Sequence, residues 1–284
     1  MRYKQGMSEI STPRKQRNLR HLTKLRLGML HRRLGESVSR LRIRDAFCGD
    51  GENVIEGELI DGSPQSILRG IQDATVEHRD FRASHHLIEC RFSDTREVAI
   101  SQLSATILES WNVIGDFFAH NSFSGLAETE KMDAVGAIAA DSVWLSECRR
   151  RRLFLVLDPN GPSHFPYLDV QRLLTGPARS RVDVVIHVSA GAIKRVLGHM
   201  PAQKSMSEWF GSFETMFVKA LAADERAWVR VPAPGDSGQW CIMVYWSKPT
   251  PESDWRNAGF YMIGSDEGRR AIDAYTKTNE EKRR

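Results

Sequence analysis

Five consecutive apolar residues, Leu153 to Leu157, end abruptly at Asp158-Pro159-Asn160-Gly161. A strand with one wet face alternates apolar and polar residues. An unbroken run instead marks a strand covered on both faces, as in the middle of a parallel sheet, and the Asp-Pro and Asn-Gly pairs then stop it in a turn. A helical stretch, YLDVQRLLTG, a second apolar strand, VDVVIHVSA, and a helix from Ala192 follow. Repeated strand and helix units predict an α/β protein with parallel strands and right-handed crossovers.

The same alternation is legible upstream. The segment LRHLTKLRLGMLHRRL places Leu22, Leu25, Leu27, Leu30 and Leu34 near helical spacing. The short run LRIRDAF predicts a strand, followed by the excursion ENVIEGELIDG. Ser63 and Pro64 have the chemistry of an N-cap and a first helical residue, so a helix is expected from there to Arg79. HHLIEC reads as the next strand, Asp94 as the opening of the helix TREVAISQLSATIL, and WNVIG as a third strand ending before Asp116. Residues 124–147 read as an inserted helix with Leu126, Met132, Val135, Ile138 and Ala139 on its apolar face. After residue 226 the pattern changes: RAWVRVPA and QWCIMVYWS are β-rich, and turn residues between them predict an antiparallel hairpin. FYMIGS and a charged helix from Asp266 close the chain.

Residues 1–18 are polar and aperiodic and read as a flexible basic arm, leaving 19–284 as one domain. Residues 1–44 hold 13 Lys or Arg against Glu9 and Glu36 alone. That imbalance suits contact with the phosphates of a nucleic acid. A protein partner is the other candidate, held by this basic end and by Trp228, Trp240, Tyr245, Trp246 and Trp255. Cys48, Cys90, Cys148 and Cys241 form no C-x-x-C pair, and His85 and His86 point to opposite strand faces, so no metal site is expected. No run approaches the roughly 20 apolar residues that cross a bilayer. The chain therefore reads as cytoplasmic with no membrane contact.

In an open parallel sheet, ligands settle beyond the carboxyl ends of the strands. Four polar features are expected there: Asp45 with the glycine turn RIRDAFCGDG, Glu89, Asp116 and Asp158. Gly49 and Gly51 would let backbone approach a ligand beside Phe47, Glu89 would accept bonds from ribose hydroxyls, and Asp116 would meet an adenine amino group. Asp45 repels phosphate and favours a cationic nucleoside, which points to S-adenosylmethionine over a dinucleotide. Asp158 and His164 are the candidate catalytic pair, the first accepting a hydrogen bond from the methyl acceptor and the second removing its proton.

The succession IRDAFCGDG, DGSP, LIEC, LVLDPNGP and FYMIGSDEG resembles the three-Cys-motif partner protein family over about Leu22 to Gly268. Cys48 stands where that family usually has Ala, and Asn160 where an aromatic residue commonly follows Asp-Pro. The resemblance implies a Rossmann-like class I methyltransferase sheet, mostly parallel with a C-terminal antiparallel hairpin, and an S-adenosylmethionine pocket. Two functions are compatible with it: an S-adenosylmethionine-dependent methyltransferase acting on nucleic acid, or a non-catalytic adaptor of the same fold.

Overall fold

The computed structural model describes residues 11–30, 38–55, 58–77, 88–118, 127–159, 164–189, 228–231, 240–245 and 261–262. They group into two compact units, one of residues 1–137 and 148–152, the other of 138–147 and 153–284. The fold class is α/β.

In the first unit, strands β1 (Arg40–Asp45), β4 (Ile88–Asp94) and β5 (Ala127–Lys131) lie side by side and parallel. The register sets Arg42 against Glu89 and Asp45 against Phe92, then Cys90 against Ala127 and Asp94 against Lys131. A two-stranded ribbon, β2 (Glu52–Ile55) with β3 (Glu58–Asp61), forms the excursion after β1. Helices α1 (Ser11–Leu30), α2 (Ser63–Glu77) and α3 (Glu97–Phe118) complete the unit.

Leucines 19, 22, 27 and 30 of α1 are buried, as are Ile67, Leu68, Ile71 and Ala74 of α2. Each large side chain contributes roughly 1.5–3 kcal/mol on burial. The two helices approach closely at Gly70, where a Cβ would lie 2.6 Å from the Arg20 carbonyl oxygen. Their rims are joined by ion pairs from Arg20 to Asp73 and from Lys24 to Glu77. The start of α2 lies one residue earlier than expected: Ser63 is the first helical residue rather than the cap, the Gly62 carbonyl accepts from the Ser66 N–H at 3.1 Å, and the Gln65 side chain reaches back to accept from the Gly62 N–H at 3.2 Å.

In the second unit, β6 (Arg151–Leu157) and β7 (Val182–Ser189) are parallel. Beyond β7 the pairing is antiparallel, to β9 (Trp240–Tyr245), which pairs with β8 (Trp228–Val231), which pairs with β10 (Tyr261–Met262). Leu153 to Leu157 are at most 1% exposed, so the apolar run is covered on both faces. Helix α4 (Ala134–Glu147) is capped by Asp133, which accepts from the Gly136 N–H, and Arg181 donates to the Leu145 carbonyl near its other end. Helix α5 (Tyr167–Thr175) buries Val170, Leu173 and Leu174.

Three expectations are corrected. Residues 11–18 are the first turns of α1 rather than a loose arm. WNVIG is not a strand, because α3 runs through it to Phe118. The expected helix over 124–147 is a strand followed by a helix: β5 takes Ala127–Lys131 and α4 begins at Ala134. The calls at His85 and His86, the helices from Ala192 and Asp266, Trp246 and Trp255 lie outside the described residues. Among the described residues no helix is long and apolar enough to cross a membrane.

Candidate functional site

The turn after β1 is built from within. Asp45 is fully buried, and its Oδ1 accepts from the Phe47 N–H at 3.1 Å, folding the chain back on itself. Gly49 and Gly51 both hold positive φ, 63° and 84°, which side-chain-bearing residues rarely adopt. The Cys48 N–H donates to the Ser93 carbonyl at 3.1 Å and pins the turn to the carboxyl end of β4.

The two glycines do different work. A Cβ on Gly51 would lie 2.5 Å from Leu103 and 3.3 Å from Gln65, so the protein's own side chains fill that flank. The Gly51 carbonyl accepts from the Gly62 N–H at 2.7 Å, which locks the turn to the start of α2. Gly51 thus serves packing, not ligand approach. Among the described residues, a Cβ on Gly49 would meet the Arg96 guanidinium alone, at 3.7 Å, and Gly49 and Phe47 are partly exposed.

Glu89 is not where a ribose-binding acid was expected. It is the second residue of β4, paired in register with Arg42, while the turn follows Asp45 three residues further along β1, about 10 Å at strand rise. Gly51 and Glu89 therefore do not line one hollow. Glu89 instead takes hydrogen bonds from Arg40 and from Arg42, each at 2.9 Å. Burial alone pushes its carboxyl up, but the Arg42 and Arg40 bonds and charges outweigh this and hold it below the usual value. Asp116 lies in the last turns of α3 rather than after a strand.

The acid at the carboxyl end of β4 is Asp94, whose side chain is 12% exposed. Its Oδ1 accepts from the Arg96 N–H at 2.8 Å and from Arg96 Nε at 3.0 Å, and its Oδ2 accepts from Arg96 Nη2 at 3.1 Å. Bonding to Asp94 is the main cause that raises the Arg96 guanidinium above its ordinary value, with Asp50 adding to it. Cys48, buried between Asp45 and Asp94, is pushed far up, first by burial and then by those carboxylates, so it is a compact neutral neighbour rather than a nucleophile.

Asp94 could have been found by reading the strand to its end. IECRFSD alternates Ile88, Cys90 and Phe92 with Glu89, Arg91 and Ser93, and the polar set continues the ladder begun by Arg40, Arg42 and Arg44 on β1.

In the second unit Asp158 follows β6 directly, and its Oδ1 lies 3.6 Å from Nδ1 of His187, which is buried in β7. His164 is exposed. The histidine that the structure brings to Asp158 is thus His187, which the sequence displays as the lone imidazole in the apolar run VDVVIHVSA.

No family model and no curated protein matches this sequence. Among solved structures, the crystal structure of protein LPL1258 from Legionella pneumophila str. Philadelphia 1 aligns at 11% identity and a TM-score of 0.50, covering 85% of this chain and 88% of that one. An rRNA methylase from Streptococcus thermophilus aligns at 13% identity and 0.33, covering 77% and 94% of the two chains. The plantazolicin methyltransferase BpumL in complex with SAH aligns at 9% identity and 0.37, covering 83% and 85%. The fold is Rossmann-like. What the last two proteins bind and act on belongs to those proteins.

Proposed function

We propose that this chain is an S-adenosylmethionine-dependent methyltransferase whose nucleoside subsite lies at the carboxyl ends of β1 and β4. The observation that carries the reading is the pinned turn: Cys48 N–H to Ser93 carbonyl sets Gly49, with its open flank, beside a largely buried carboxylate at a strand end. An acid at the end of the second strand is the group that accepts from ribose hydroxyls in this class of sheet, and Asp94 replaces Glu89 in that role.

Charge supports a cationic ligand. Asp45 and Asp94 act electrostatically on Cys48 of the turn, and Asp94 and Asp50 on Arg96 beside it, and such a group of carboxylates repels pyrophosphate while favouring a sulfonium and an ammonium. Phe47 is a partly exposed apolar neighbour for the adenosyl moiety. The cofactor, when bound, supplies an activated methyl group. Asp158, backed by His187, is the residue assigned to hold the acceptor's amine or hydroxyl. Nucleic acid is the proposed acceptor class, from the basic N-terminal region. Arg20 and Lys24 of that region are already paired with Asp73 and Glu77, which leaves residues such as the exposed Arg17 for phosphate. Membership of the three-Cys-motif partner family is proposed on the motifs quoted above.

Calorimetric titration of S-adenosylmethionine tests the reading. Wild type binds, and Asp94→Asn binds about tenfold or more weakly, the scale of a lost hydrogen bond to a charged acceptor. Glu89→Gln leaves the affinity unchanged. No heat with folded wild type would leave the non-catalytic adaptor in its place.

A further inference from the structure

We propose that Arg96 is a latch on the nucleoside subsite, occupying the Asp94 carboxylate until a ribose displaces it; the inference rests on the site reading above. The geometry is specific. Arg96 closes on Asp94 with a two-pronged side-chain pair, Nε to Oδ1 at 3.0 Å and Nη2 to Oδ2 at 3.1 Å, and its backbone N–H takes Oδ1 as well. A carboxylate oxygen has two lone-pair directions, so Oδ1 is filled and Oδ2 keeps one, and a diol that binds both oxygens must displace the Arg96 side chain.

The exposures of the two partners are opposite. Asp94 is 12% exposed and Arg96 55%, so the guanidinium lies over the acid on its solvent side. It also borders the Gly49 flank of the turn, 3.7 Å from where a Gly49 Cβ would stand. A diol approaching Asp94 along Gly49 therefore meets Arg96 first. The backbone bond from the Arg96 N–H stays in place when the side chain leaves, so the Asp94 turn leading into α3 is kept while the latch opens. A partly exposed ion pair is weak enough for this exchange, at well under the binding energy of a nucleoside.

The latch makes affinity depend on a competing internal cation. Adenosine, S-adenosylhomocysteine and 2′,3′-dideoxyadenosine are titrated into wild type and Arg96→Ala, with thermal melting as the check on folding. Arg96→Ala binds adenosine and S-adenosylhomocysteine about two- to fivefold more tightly, matching release of a partly exposed pair. The dideoxy compound, which has no hydroxyls to offer Asp94, is unaffected by the substitution. Adenosine is uncharged, so a second readout is salt: raising ionic strength screens the Arg96 pair and tightens adenosine binding to wild type, but not to Arg96→Ala. Weaker or unchanged adenosine binding by folded Arg96→Ala, with wild type still binding, overturns the latch alone and makes Arg96 a ligand contact or a structural pair. Silence from both proteins overturns the latch together with the subsite beneath it.

Discussion

Gly62→Ala is expected to destabilise the first unit by about 3 kcal/mol, the upper end of ordinary overpacking costs. The added Cβ would stand 2.2 Å from the Gly51 carbonyl oxygen and 2.4 Å from its carbon. These are backbone atoms, and they cannot swing aside as a flexible side chain would. Gly51 in turn is hemmed by Leu103 and Gln65, so the turn has no slack in which to retreat. Alanine keeps the N–H at position 62, so any shift that relieves the clash must stretch its 2.7 Å bond to the Gly51 carbonyl, which joins the turn to α2. Urea denaturation should show a lower midpoint with an unchanged slope. Gly49→Ala is the internal comparison. Among the described residues its Cβ meets Arg96 alone, at 3.7 Å, and its cost is about 1 kcal/mol from holding a left-handed backbone. Equal losses at the two positions would contradict the distinction drawn between them.

Arg44→Met should cost about 3 kcal/mol, the lower end for breaking a buried ion pair by removing one partner. Arg44 is 1% exposed, and it donates to Ser93 at 2.7 Å and to Glu130 at 2.5 Å. Met fills much of the volume but leaves both acceptors short of a donor. Glu130 keeps Arg91 at 3.0 Å, which holds the cost to the lower end. Glu130→Gln in the same protein should recover part of the loss, since the stranded charge is gone.

The same variant should flatten the acid response. Burial pushes the Glu130 carboxyl up, but the Arg44 bond and charge, helped by Arg91, bring it below its ordinary value of 4.5. A carboxyl depressed in the folded state contributes stability above its unfolded value and loses it as pH falls through the folded one. Wild type should therefore lose stability as pH falls below about 4.5, through both Glu89 and Glu130. Arg44→Met should lose less over that window, because its Glu130 has already given up most of the depression. An identical acid limb in both proteins would remove Arg44 as the cause.

This network also explains where sequence reading succeeded and where it stopped. The strands β6 and β7 and the helices α2 and α5 announce themselves locally, by unbroken apolar runs or by helix-start residues, although at α2 the cap is Gly62, one residue before the expected Ser63. The apolar segment HHLIEC predicts a strand ending at Cys90, whereas β4 runs on through Arg91 and Ser93 to Asp94. They are strand residues whose polar side chains face the charges of neighbouring strands: Arg91 pairs with Glu128 and Glu130 of β5, and Ser93 accepts from Arg44 of β1. Stopping four residues early made Glu89 look like the strand-end acid and hid Asp94.

β5 is harder still. AETEK has no apolar alternation, and what makes it a strand is its pairing with β4 together with the ion pairs of Glu128, Glu130 and Lys131. WNVIG misleads in the opposite direction, being locally β-like but carried within a 22-residue helix. At Asp158 the turn chemistry placed the acid correctly at a strand end. Its partner His187 comes from the next parallel strand, a contact no local pattern encodes.

A crystal structure of the protein soaked with S-adenosylhomocysteine tests the central claim most directly. Ribose hydroxyls are expected on the Asp94 carboxylate, with the ligand lying over Gly49 and the Arg96 side chain turned away. Clear ligand density anywhere else, or full ligand occupancy with the Arg96 to Asp94 pair intact, would contradict it.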